Sequence, residues 1–109
     1  GSDSNILVDA VRELEMIEYA QRLTQRGRNL VADAEGASTG RRLLDGAVWG
    51  GSHSLGVEGG LRVGASANLV SLDLDHPSLV ERRHDALVDG WVFAAGRAAV
   101  DCVWRRGAK

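Results

Sequence analysis

The feature that most constrains this chain is a helix-forming run from Asp9 to Arg26 whose apolar residues fall on two opposite sides. Asp9 predicts the N-cap, its carboxylate placed to accept backbone N–H groups of the first turn, and Gly27 predicts the stop. At about 100° per residue, Leu7, Ala10, Val11, Leu14 and Ile17 make one stripe. Met16, Tyr19, Ala20 and Leu23 make another on nearly the opposite side. A helix written this way expects packing on both faces. Arg12, Glu15, Glu18 and Arg22 read as the narrow strips between. Glu18 and Arg22 are spaced for an i,i+4 pair at a solvated edge, worth about a few tenths of a kcal/mol.

The segments that follow are shorter. Gly27 to Gly36 reads as a polar connection around the apolar piece Leu30-Val31-Ala32. A second helix, capped by Ser38 or Thr39, runs through Leu43, Leu44, Ala47 and Val48 to Gly50-Gly51. The grammar then changes, because Gly56, Gly59, Gly60 and Gly64 punctuate the chain and apolar residues begin to alternate. Glu58 to Gly64 lacks the glycine spacing of a dinucleotide loop and reads as a hairpin connection. Val70, Leu72 and Leu74 point to one side of a half-buried strand, with Leu69, Ser71 and Asp73 on the other, and Pro77 ends it. Ala86 to Phe93 predicts a short helix capped by Asp85. Ala98 to Arg105 predicts a second strand with Val100, Cys102 and Trp104 on one face and Gly107 at its exit. Two or three strands with bare edges are marginal alone and want partner strands.

Composition narrows the function. In 109 residues, 44% hydrophobic, there is room for one core, and the balance of 13 basic and 15 acidic residues holds no dense basic block. Nucleic acid is therefore an unfavoured partner. No apolar run reaches the roughly 18 residues that span a bilayer, and no charged-then-apolar leader opens the sequence. The lone Cys102, among Val100, Val103 and Trp104, reads as a small buried hydrophobe and fits a reducing, cytoplasmic compartment.

Few motifs carry chemistry. His53, His76 and His84 are too scattered for a zinc site, and Ser2, Ser4 and Ser38 have no histidine at a local activating distance. Trp49, Trp91 and Trp104 read as core or interface anchors, since no basic residues interleave with them. The opening Gly1-Ser2-Asp3-Ser4-Asn5 has two readings: the scar of a cleaved tag followed by a turn, or a carboxylate among small residues able to reach a metal ion or a water molecule.

The chain resembles a known family. Gly1 to Asn5, then Glu13-Leu14, Glu18-Tyr19-x-Gln21-Arg22-Leu23 and Arg28-Asn29, look like the segment after the eighth barrel strand of amidohydrolase-superfamily deaminases, above all those acting on N-formimino-L-glutamate. Gly60-Leu61-x-Val63-Gly64-Ala65-x-Ala67-Asn68-Leu69-Val70-x-Leu72-Asp73 is similar to the superfamily's re-entry into its small β-sandwich, and Val103 to Gly107 to that domain's closing strand. One departure is Asn68, where many relatives carry Asp.

The resemblance implies an α/β fold: a C-terminal fragment of a (β/α)8 barrel over residues 1–58, with the end of strand 8 and its following helices, and part of a composite β-sandwich over 59–109. It implies a hydrolase of C–N bonds that converts N-formimino-L-glutamate to N-formyl-L-glutamate and ammonia in histidine breakdown. One divalent metal, usually zinc, would lower the pKa of its water toward about 7. Asp3 would be both metal ligand and proton acceptor, with the histidine ligands and substrate-binding residues upstream of Gly1. The missing machinery makes the isolated chain inactive in this reading, and the rest of the polypeptide, or a second protomer of a homodimer, covers the bare faces. A guanine- or triazine-type aminohydrolase uses an acid like Asp3 identically, and a non-catalytic assembly module is the reading from a different class.

Overall fold

The computed structural model describes residues 6–109. They form α1 (Ala10–Gln25), α2 (Thr39–Leu55), β1 (Leu69–Leu72), α3 (Asp85–Gly90), a π-helical turn (Trp91–Ala95), a 3-10 turn (Gly96–Ala99) and β2 (Val100–Trp104). The start of α1 is set by Asp9, whose Oδ1 accepts the N–H groups of Val11 at 3.0 Å and Arg12 at 3.3 Å. The helix ends one residue before the expected glycine: Arg26 takes the left-handed conformation, φ 53°, and donates its N–H to the Arg22 carbonyl.

Only one face of α1 is covered among the described residues. Val11, Leu14, Glu15 and Glu18 are buried, while Met16 and Leu23 of the opposite stripe are 63% and 83% exposed. The expected solvated edge is thus corrected at Glu18, which is fully buried. Its Oε1 accepts from Arg22 Nε at 2.8 Å and from the Leu30 N–H at 3.2 Å, and its Oε2 from the Val31 N–H at 3.0 Å. A buried carboxylate with this many donors is satisfied, and it draws residues 30 and 31 onto the helix.

Ser38 caps α2, its Oγ accepting from the Arg41 N–H at 2.9 Å. The helix continues through Gly50 and Gly51, past its expected end, and stops where Gly56 supplies φ 63°. Glycine inside a helix is tolerated without positive φ; only Gly56 needs it. The next segment joins a helix to a strand, so the hairpin expected at 58–64 is corrected to a helix-to-strand connection.

Helix α3 is fixed to α2 by a cap supplied from outside. Asp89 Oδ1 accepts the Gly40 N–H at 2.6 Å and the Ser38 hydroxyl at 2.9 Å. A Cβ on Gly40 would lie 3.0 Å from the Asp89 Cα and 3.1 Å from its backbone nitrogen, so the two helices meet only through glycine. Asp85 opens α3 without serving as its cap: His84 holds that position, with no side-chain cap bond. The Asp85 carboxylate accepts instead from Arg41 Nε at 2.9 Å.

Leu14, Leu43, Val88 and Val92 form one core cluster, drawn from both sides of residue 58, and Leu79, Ala95 and Ala99 form a second. Trp91 packs against both. The ribbon pairs antiparallel, Leu69 with Trp104, Val70 with Val103 and Ser71 with Cys102, before the register shifts and Leu72 faces Val100. The expected Val70/Leu72/Leu74 face is corrected: Val70, opposite Val103, is exposed, Leu72 is half-buried, and Leu74 lies beyond β1 and is exposed. In β2 the expected alternation holds, with Asp101 and Val103 exposed between half-buried or buried neighbours.

Two outcomes follow from these contacts. Gly40→Ala should push α3 from α2 and cost about 1 to 3 kcal/mol, read as a lower denaturant midpoint at unchanged slope. Burial alone would push the Glu18 carboxyl up, but the bonds from Arg22, Val31 and Leu30 and the charge of Arg22 outweigh it and hold its pKa below the ordinary 4.5. The stabilisation is complete above that value and is lost as pH falls through the lowered native one. Urea titrations across that acidic range should show a smaller loss of stability in Glu18→Gln than in the unmodified protein.

Candidate functional site

Asp3, the expected metal ligand and catalytic base, lies outside the described residues, as do Ser2 and Ser4. Of the other side chains considered as candidates, Ser38 is spent on a helix cap and Cys102 is buried and free. His53 and His84 are exposed, and His76 Nδ1 accepts the Ser78 N–H at 3.2 Å. The three histidines are not brought together. No group of three or more His, Cys, Asp or Glu side chains converges among the described residues, so this part of the chain does not by itself hold a divalent ion.

Two concavities among the described residues bear on function. The smaller, about 160 Å³, lies beside the first turns of α1, lined by Asp9, Arg12 and Glu15 and by residues 92 to 97. Three of its charged groups are committed: Asp9 caps the helix, and Arg12 Nη1 meets Glu15 Oε2 at 2.6 Å. The Glu15 hydrogen bond and charge raise the Arg12 pKa, and a hydrogen bond to Glu15 raises that of Tyr19. The Tyr19 ring lies 6.3 Å from that of Phe93, with the Arg22 guanidinium 5.4 Å from its centroid. A row of paired groups like this orders a helix surface and offers no nucleophile with an adjacent base.

The larger concavity is a mostly apolar groove of about 660 Å³ between α2 and β1, lined by Leu44, Val48, Leu55, Leu69 and Leu72 together with Trp91. The indole N–H of Trp91 is buried without a hydrogen-bond partner. Arg41 lines it too, its pKa raised chiefly by its hydrogen bond to Asp85. Arg41, Ser52, Glu58, Ser66 and Asn68 are the polar side chains of an otherwise apolar lining.

Sequence reasoning missed Glu18 as a structural group. The signal was present: Glu18 falls about 20° around the axis from Val11, at the i+7 position of the stripe that Leu14 continues.

No family model matches the chain. It is 42% identical over 97 residues to the formimidoylglutamate deiminase of Pseudomonas aeruginosa, a match covering 88% of this chain and 21% of that protein. The crystal structure of an amidohydrolase from Brucella melitensis superposes on it with a TM-score of 0.87 at 50% identity, covering 100% of this chain and 24% of that one. The chain thus spans between a fifth and a quarter of the length of these relatives. The mixture of helices and a short ribbon described above is a fold that an amidohydrolase contains as one part of itself. By sequence and by fold, this chain is similar to one part of a formimidoylglutamate deiminase and of an amidohydrolase.

Proposed function

We propose that the chain is the C-terminal part of a metal-dependent deiminase that hydrolyses N-formimino-L-glutamate to N-formyl-L-glutamate and ammonia. The observation that carries this reading is the 42% identity to the Pseudomonas deiminase, which extends over 97 residues and so through both the helical and the ribbon parts. The likeness in fold to the Brucella amidohydrolase supports the reaction class, hydrolysis at a C–N bond.

In this reading residues 1–58 end the eighth strand of a (β/α)8 barrel and supply the helices after it, while 59–109 form part of a β-sandwich. The turn Trp91–Ala95, packed through Val92 against Leu14 and Leu43, ties the two. Asp3 is this chain's contribution to the chemistry, ligating the divalent ion, zinc by family resemblance, and taking a proton from the attacking water. The other metal ligands and the groups that bind the glutamate moiety belong to the remainder of a longer polypeptide. The described residues, with no converging ligand set of their own, serve to hold the Asp3 segment and to bury the barrel wall.

The test is ammonia release from the full-length enzyme. Turnover is expected with N-formimino-L-glutamate and not with guanine or an aminotriazine, and Asp3→Ala should lower kcat by about 10²-fold or more. The 109-residue chain alone should release no ammonia. Turnover confined to guanine or the triazine would transfer the enzyme to another branch of the superfamily. An Asp3→Ala enzyme with unchanged turnover and metal content would end the role given to that carboxylate.

A further inference from the structure

Residues 27 to 36 cross from the end of α1 to the cap of α2 with no helix or strand of their own. Their attachments are few. The bond from the Ala32 N–H to the Asn29 carbonyl closes a turn inside the segment and ties it to nothing else. Asp33 pairs with Arg42 Nε at 2.7 Å, but the carboxylate is 73% exposed, and such surface pairs hold little. Val31 leans, half-buried, on the cluster of Leu14, Leu43, Val88 and Val92. What remains is Glu18. Its carboxylate takes the N–H groups of both Leu30 and Val31 while Arg22, one turn along the same helix, fixes its orientation.

The asymmetry with the flanking helices is large. α1 and α2 carry their own ladders of backbone bonds, and each buries leucine or valine in the common core. Among the described residues, the polar ties from 27–36 to a buried side chain are those of Leu30 and Val31 to Glu18, which belongs to another element.

We infer that residues 27–36 form a strap that opens as a local unit, with the Glu18 carboxylate as its latch, while α1 and α2 stay folded. The inference concerns the packing of the chain and does not rest on the catalytic reading. Opening uncovers the Glu18–Arg22 pair and the Val31 side of the core, and closing is favoured by the carboxylate, because an amide at position 18 would turn an NH2 donor toward donors that the two carboxylate oxygens now satisfy.

Amide hydrogen exchange on the intact protein tests this, read at Leu30 and Val31 and compared with Leu14 and Leu43. In the unmodified protein the two strap amides are expected to exchange at least about tenfold faster than the helix amides, and at rates that low denaturant leaves unchanged. Glu18→Gln should speed the strap amides by a further factor of about ten, and by more than it speeds Leu14 and Leu43. Strap amides that exchange only in step with the helices as denaturant rises would overturn the inference, as would a Glu18→Gln strap with unaltered rates. The comparison within the unmodified protein needs no variant, so it decides even if Glu18→Gln does not fold.

Discussion

A carboxylate taken wholly out of water survives only where donors replace its hydration, and the packing of α1 depends on that condition at Glu18. The helix needs its Val11/Leu14 face against the rest of the core, yet the middle of that face carries an acid. Arg22 alone would not resolve the conflict, since one donor leaves most of the carboxylate's lone pairs empty. The backbone of residues 30 and 31 completes it. A connection without regular structure therefore has a definite position, and Val31 reaches the core because its own N–H is drawn there first.

A second carboxylate repeats the logic between α3 and α2. Asp89 of α3 caps the first turn of α2, so that two elements separated by almost fifty residues share one set of polar bonds. The cap requires close approach, and Gly40 makes the approach possible. Once α3 is seated, the π-helical turn after it carries Val92 into one core cluster and Ala95 into the other, with Trp91 between. The extra residue per turn of a π-helix widens the spiral, and such turns recur where a chain must adjust the direction of its side chains. Here the adjustment lets a short segment serve two small cores.

Local features were legible in the residues and distant ones were not. Asp9 and Ser38 could be recognised as caps because capping is settled within three residues, and β2 because alternation needs nothing beyond itself. Glu18 was misplaced because its polarity suggested an edge although its angle put it in the stripe. Asp85 stood where a cap belongs, but its partner Arg41 is a contact that no local pattern reveals. Glycine marked the end of α2 ambiguously, since Gly50, Gly51 and Gly56 look alike in sequence and only the last adopts positive φ. The role proposed for Asp3 was legible only through resemblance, since Asp3 has no neighbour in sequence that identifies its chemistry.

The register shift between Ser71 and Leu72 sets Leu72 opposite Val100 and leaves Asp101 without a backbone counterpart, its carboxylate accepting the Ser71 hydroxyl at 2.8 Å instead. An extra residue of this kind coils a two-stranded ribbon more tightly than an unbroken ladder would. The outer rims of β1 and β2 consequently diverge along their length. Any third strand laid beside either rim must already share that coil, so the ribbon selects its neighbours by curvature before any side chain is compared.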